Sequence, residues 1–139
     1  MARDSSRKAT LRPGIYAVLA EFRYELRCFH HFSEAAASRE GLSPRQHQAL
    51  LSIRGSPESM QTVGELAARL LIRPHSASGL ANRLVGQGLL ERIPGADRRV
   101  VRLRLTPSAE QILERLSAAH LAELKRIRPL LKTLIERIR

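Results

Sequence analysis

The sequence predicts a mainly α fold carrying one small β-hairpin, and three observations carry that expectation. Apolar residues recur at the 3.6-residue spacing of a helix along most of the chain. The period changes to two over one short stretch, between residues 89 and 105. Hydroxyl residues that cap helices stand at Ser43, Thr62 and Thr106, each just ahead of an apolar-periodic run.

Residues 1–14 read as a flexible basic tail that ends at the turn pair Pro13-Gly14. From Ile15 a helix is predicted to about Ser38, stopped by Gly41. Ile15, Val18, Leu19, Phe22, Leu26, Phe29 and Ser33 fall on one face, and Tyr24, Cys28, His31, Phe32 and Ala35 form a second stripe. A helix with two semi-apolar faces is expected to pack on its own core and on a second subunit. Ser43-Pro44-Arg45-Gln46 is a capping box with proline at the first helical position, predicting a helix over 44–54 closed by Gly55-Ser56-Pro57. Thr62-Val63-Gly64-Glu65 repeats the device and opens a short helix with Leu66, Ala67, Leu70 and Leu71, cut by Pro74. The next helix, from Pro74 to about Gln87, buries Ala77, Leu80, Ala81 and Leu84, and Gly88 closes it. A short helix, a tight turn and a second helix form a helix-turn-helix.

Leu89 to Ile93 and Val100 to Leu105, joined through Pro94-Gly95-Ala96-Asp97, read as a hairpin, so the ribbon is a wing beside the helix-turn-helix. Thr106-Pro107 opens another helix, which Pro129 is expected to break, leaving a last amphipathic helix with Leu130, Leu131, Leu134, Ile135 and Ile138. The expected organisation is a tail over 1–14, an N-terminal dimerisation helix over 15–42, a winged helix-turn-helix over 43–106, and C-terminal dimerisation helices over 107–139.

The 139 residues carry a net charge of +11, and arginine supplies all but three of the 24 cations. A field of that sign favours a polyanion, and arginine's planar fork suits phosphate and guanine edges. Nucleic acid is the leading partner. A membrane-surface role would want aromatic anchors, whereas aromatics are 4% with no tryptophan. No run approaches the length of a transmembrane helix and no leader pattern precedes residue 15, so a cytoplasmic location is expected. A single cysteine, Cys28, fits a reducing compartment.

No phosphate-binding loop, nucleophile elbow or paired-carboxylate helix is present, so an enzyme is not expected, and no cofactor is implied. Cys28, His30, His31, His47 and His120 lack ligand spacing, and adjacent His30 and His31 point about 100° apart on a helix, so no metal site is expected.

The segment LAARLLIRPHSASGLANRLVGQGLLERIPGADRRVVRLRLT resembles the winged helix-turn-helix of the MarR family of transcription regulators. The resemblance rests on Leu66, Ala67 and Leu70, then on Arg83, Leu84, Gly88 and Leu89, and on the wing pair Asp97 and Arg99 ahead of Leu105-Thr106. It implies a two-fold homodimer closed by the terminal helices, with recognition helices in successive major grooves and wings on the flanking minor grooves of an operator. It implies a repressor relieved by a small-molecule effector or an oxidant. It also implies that Asp97 braces Arg99, which enters the minor groove. Where family recognition helices often carry a long polar residue, this chain has Gly79.

The candidate DNA contacts are Arg73, His75, Ser76, Ser78 and Asn82 on the recognition helix and Arg98, Arg99 and Arg102 on the wing. Arg104 adds to the crowding of cations there, with Asp97 the intervening acid. Asn82 either reads adenine or faces solvent, and solvent is the favoured reading. Cys28, His31 and His47 are the candidate effector or redox site: Arg27 and His31 would activate the thiol of a sensor, while an inert small hydrophobe is the favoured reading of Cys28. The alternative function is a winged-helix module that coats nucleic acid without sequence preference or binds protein.

Overall fold

A computed structural model describes residues 11–138. Five helices and a two-stranded antiparallel sheet follow in the order α1 (Pro13–Arg39), α2 (Pro44–Arg54), a one-turn 3₁₀ helix (Pro57–Ser59), α3 (Val63–Leu70), α4 (Pro74–Gly86), β1 (Leu90–Pro94), β2 (Val101–Leu105) and α5 (Pro107–Arg137). The mainly α class with its hairpin is as the periodicity predicts. Most of the predicted tail lies outside the described residues, and its last two, Pro13 and Gly14, are helical: proline at the first position needs no hydrogen-bond donor there.

The capping signals act as their chemistry requires. Gln46 N–H donates to Ser43 Oγ at 3.1 Å, and Ser43 N–H donates to Gln46 Oε1 at 3.0 Å. Thr62 Oγ1 accepts from Glu65 N–H at 3.1 Å, and Thr106 Oγ1 accepts from Ala109 N–H at 3.3 Å. Gly88, at φ +73°, makes the left-handed turn between α4 and β1. α3 ends at Leu70, four residues ahead of Pro74, with Leu71 rather than the proline as the stop. Leu71 is left-handed at φ 56° and 92% exposed.

The core gathers Ala49, Leu50 and Ile53 of α2, Leu66 of α3, Leu80, Ala81 and Leu84 of α4, Leu90, Leu103 and Leu105 of the hairpin, and Ala109, Leu113 and Leu116 of α5. Ala36 and Ala37 at the end of α1 close it. The hairpin pairs Leu90 with Leu105 and Pro94 with Val101, and Gln61 adds a bridge to Leu103 that fastens the root of the wing to the loop before α3.

Two expectations about the terminal helices fail. Pro129 does not break the last helix, which runs as one α5 through it to Arg137. Ile127 and Leu134, on either side of Pro129, are buried outside the main core, as is Val18 of α1, and α1 packs along α5. Burial of that kind holds a helix together where local propensity would end it. Leu134, placed by its stripe at a dimer interface, is 4% exposed in the single chain and belongs to this seam. Large apolar residues left exposed there include Tyr16, Leu19, Phe22, Tyr24 and Leu26 of α1, Leu121, Leu124 and Ile135 of α5, and Ile138 just after it. Among the described residues no helix is long and apolar enough to cross a membrane.

Candidate nucleic-acid interface

α4 begins with Arg73 in extended geometry, and the first intrahelical bond runs from Ala77 N–H to the Arg73 carbonyl at 3.0 Å. No side chain caps this end, so the amides of His75 and Ser76 have no partner in the helix. Arg73, His75 and Ser76 are exposed, Ser78 is half-buried, and Gly79 leaves the surface of the helix low. Free amides, the positive end of the helix dipole and an adjacent guanidinium together suit a phosphate oxygen. Further along, the exposed Asn82 accepts a hydrogen bond from Arg92 of β1 through Oδ1, which ties the recognition helix to the wing. Asn82 therefore has a partner on the protein, a contact that the ten-residue separation across a turn conceals in the sequence.

The wing tip is organised by Asp97. Its carboxylate accepts from the Arg99 backbone N–H at 3.1 Å, and its carbonyl accepts from Val100 N–H at 2.9 Å. Gly95 N–H donates to the Val100 carbonyl at 2.9 Å and closes the loop. The brace thus acts on the backbone at Arg99, leaving the guanidinium outward. Arg98 and Arg99 are exposed, and neither forms an ion pair among the described residues.

The arginines nearer the root differ. Arg102 Nη1 lies 2.7 Å from Glu58 Oε2, and Arg104 Nη2 lies 2.8 Å from Glu91 Oε1 across the hairpin. The expected crowding of four cations around Asp97 is thus halved by two glutamates, and positive charge concentrates at the tip. The Glu91–Arg104 pair follows from the hairpin register, whereas Glu58 reaches Arg102 across 44 residues of sequence.

Cys28, His31 and His47 do not converge. Cys28, half-buried, and His31, exposed, line a groove of about 680 Å³ between α1 and α5 with Tyr24, Arg27, Phe32 and Arg126. The neighbouring Cys28 thiol pushes the Tyr24 phenol above its ordinary pKa. His47 is buried instead against His120, with ring centroids 4.9 Å apart, and its Nδ1 has no hydrogen-bond partner among the described residues. His120 bonds the Leu116 carbonyl and Ser33 Oγ, and it meets Phe29 and Phe32 edge-on. Burial first, then the nearness of His120, pushes His47 below the ordinary histidine pKa. Seventy-three residues separate the two histidines, and no local pattern announces the pair. Among the described residues no three His, Cys, Asp or Glu side chains are grouped to hold a metal ion.

A helix-turn-helix whose second helix presents an open end, bonded to a hairpin with a cationic tip, defines a winged-helix protein. Residues 40–100 match the MarR family. No curated protein sequence matches it. Solved structures with the same fold include AbsC, a MarR family transcriptional regulator from Streptomyces coelicolor, at 19% identity and a TM-score of 0.69, with 84% of this chain and 80% of that one covered. The multiple antibiotic-resistance repressor of Listeria monocytogenes is 21% identical, with a TM-score of 0.70 over 88% of this chain and 96% of that one. A mutant MepR from S. aureus, solved bound to an oligodeoxyribonucleotide, is 17% identical, with a TM-score of 0.69 over 89% and 98%. At these identities the likeness is one of fold.

Proposed function

We propose that this protein is a transcription regulator that binds double-stranded operator DNA as a homodimer. The observation that carries the reading is the contrast along the wing, where Arg102 and Arg104 are held by glutamates while Arg98 and Arg99, without an ion pair among the described residues, stand at a tip braced by Asp97. Cations left without carboxylates on a protruding hairpin suit phosphates, and the free amides of His75 and Ser76 suit another. The DNA-bound MepR structure and the regulator and repressor named among the structural relatives support the same reading. In this proposal Arg98 and Arg99 enter or flank the minor groove, and Arg73, His75, Ser76 and Ser78 approach the major groove. Asn82 supports the wing through Arg92. A second copy of the chain covers the exposed apolar residues of α1 and α5. The regulator acts as a repressor in the cytoplasm, relieved by a small effector or an oxidant, for which the groove lined by Cys28 and His31 is the candidate receptor.

The test is a salt titration of operator and random duplexes. Arg99→Ala should weaken both and lower the slope of log K against log salt by about one unit per lost phosphate contact, about two for the homodimer. Unchanged affinity and slope would overturn the wing assignment. Footprinting then separates a regulator, which protects one pseudo-palindrome with half-sites about one helical turn apart, from a coating protein that protects every sequence.

A further inference from the structure

We propose that Glu58 is an electrostatic gate on Arg102: its carboxylate occupies the guanidinium that would otherwise reach a DNA phosphate, so that it holds down sequence-independent affinity. The proposal rests on the DNA-binding reading above and names a residue that tunes it.

Glu58 is presented to the wing by a loop that fixes it independently of Arg102. Glu58 and Ser59 are both left-handed, at φ 58° and 54°, a conformation that costs a non-glycine residue of order 1 kcal/mol. The surroundings impose it. Arg54 Nη1 donates to Ser59 Oγ at 2.8 Å, Ser59 Oγ donates back to the Arg54 carbonyl at 3.1 Å, and Ser56 Oγ bonds the carbonyls of Ile53 and Met60 at 2.6 and 2.9 Å. Gln61 and Leu103 then exchange backbone bonds of 2.7 and 3.2 Å, which stitches this loop to β2 one residue from Arg102.

The contact itself is made to exchange. A single hydrogen bond joins Arg102 to Glu58, and their side chains are 34% and 67% exposed. The pair between Arg115 and Glu40, by contrast, is two-pronged, at 2.9 Å in both arms. A single-pronged, exposed pair contributes about 0–1 kcal/mol, so a phosphate can displace it. Arg102 stands three residues from Arg99, so at most about 11 Å of chain separates them, which is about one Debye length at 0.1 M salt. Arg102 is therefore within reach of the backbone that the tip approaches, and so is the carboxylate. Moving Arg102 to a phosphate leaves Glu58 unpaired beside a polyanion, and that repulsion opposes the exchange on every sequence alike. What remains is affinity that depends more heavily on the contacts of α4.

The experiment titrates a labelled random duplex with the full chain carrying Glu58→Gln, Arg102→Gln, both, or Arg99→Gln, at several salt concentrations. Glutamine keeps the shape of glutamate and removes the charge. Glu58→Gln should tighten binding about 3- to 10-fold at 0.1 M salt and steepen the salt slope by about 0.9 per added phosphate contact, about 1.8 for the two copies of a homodimer. Arg102→Gln alone should shift the slope by less than about half a unit, and in the Glu58→Gln background it should erase the gain. Glu58→Gly, which removes the charge and the left-handed strain together, should reproduce the tightening if the glutamine variant folds poorly. Unchanged or weaker binding in both Glu58 variants would overturn the gate, as would a full-unit loss of slope in Arg102→Gln alone. If Arg99→Gln lowers the slope while the Glu58 variants do nothing, the gate fails and the wing reading stands. If Arg99→Gln leaves the slope unchanged, the wing reading fails and takes the gate with it.

Discussion

Replacing Pro129 by alanine should stabilise the protein. Proline inside a helix lacks the N–H that would bond the carbonyl four residues back, here that of Lys125, and its ring crowds that carbonyl. Against alanine the difference is about 3 kcal/mol in a helix interior. Alanine also frees the unfolded chain, which offsets roughly 0.4–1 kcal/mol, so the net gain is about 2 kcal/mol. The helix survives its proline because Ile127 and Leu134 are buried on either side of it, each contributing roughly 1.5–3 kcal/mol. Thr133 Oγ1 also donates to the Pro129 carbonyl at 3.1 Å. For a chain of this size the gain corresponds to a rise in Tm of about 6–10 °C, read by circular dichroism at fixed protein concentration. Amide exchange over 130–137 should slow in the same variant, since the restored bond at residue 129 ties that segment to the rest of α5. An unchanged Tm together with unchanged protection in that segment would refute the argument that burial opposes local propensity here.

Ile135, 64% exposed, and Leu134, 4% exposed, are neighbours with opposite roles: Ile135→Glu should give folded monomers in sedimentation, whereas Leu134→Glu should lower Tm by opening the α1–α5 seam. A wild-type chain that sediments as a monomer at micromolar concentration would remove the dimer. His47 is a base whose pKa folding lowers, so the unfolded chain binds more protons; its contribution is present above the ordinary pKa of 6.5 and is lost as the pH falls below it. Stability should therefore drop between pH 7.5 and 5.5 in the wild type and more gently in His47→Leu, and parallel profiles would contradict this. A Cβ at Gly79 would meet only Arg83 Nη1 at 3.8 Å, so Gly79→Ala should stabilise α4 by about 1 kcal/mol. It should leave the salt slope of DNA binding unchanged, and an altered slope would show that α4 had moved.

The legible part of this protein lies where the signal is local. The box at Ser43 and Gln46, the caps at Thr62 and Thr106, the stripe of Ala77, Leu80, Ala81 and Leu84, and the change of period at the hairpin each act within a few residues, and the structure places those elements within a residue or two of their predicted bounds. The tip arginines follow for the same reason, because a hairpin's turn is exposed wherever its strands pair. Helix ends set by competition are less legible. Pro129 reads as a break because local propensity disfavours it, and the opposing burial of Ile127 and Leu134 becomes visible once α1 lies along α5.

The sequence by itself thus determined a winged helix-turn-helix with a basic wing, since capping, periodicity and net charge are properties of short segments and of composition. Tertiary structure decided which charges are free. Glu58 reaches Arg102 across 44 residues and halves the apparent crowding of the wing together with Glu91, and Arg92 takes up Asn82. It decided that His47 meets His120 rather than Cys28 and His31, and that Leu134 faces inward while Ile135 faces out. The physical reason is common to these cases. Whether a charged or apolar side chain is available to a partner depends on what already touches it, and those contacts form between elements that the chain brings together only on folding.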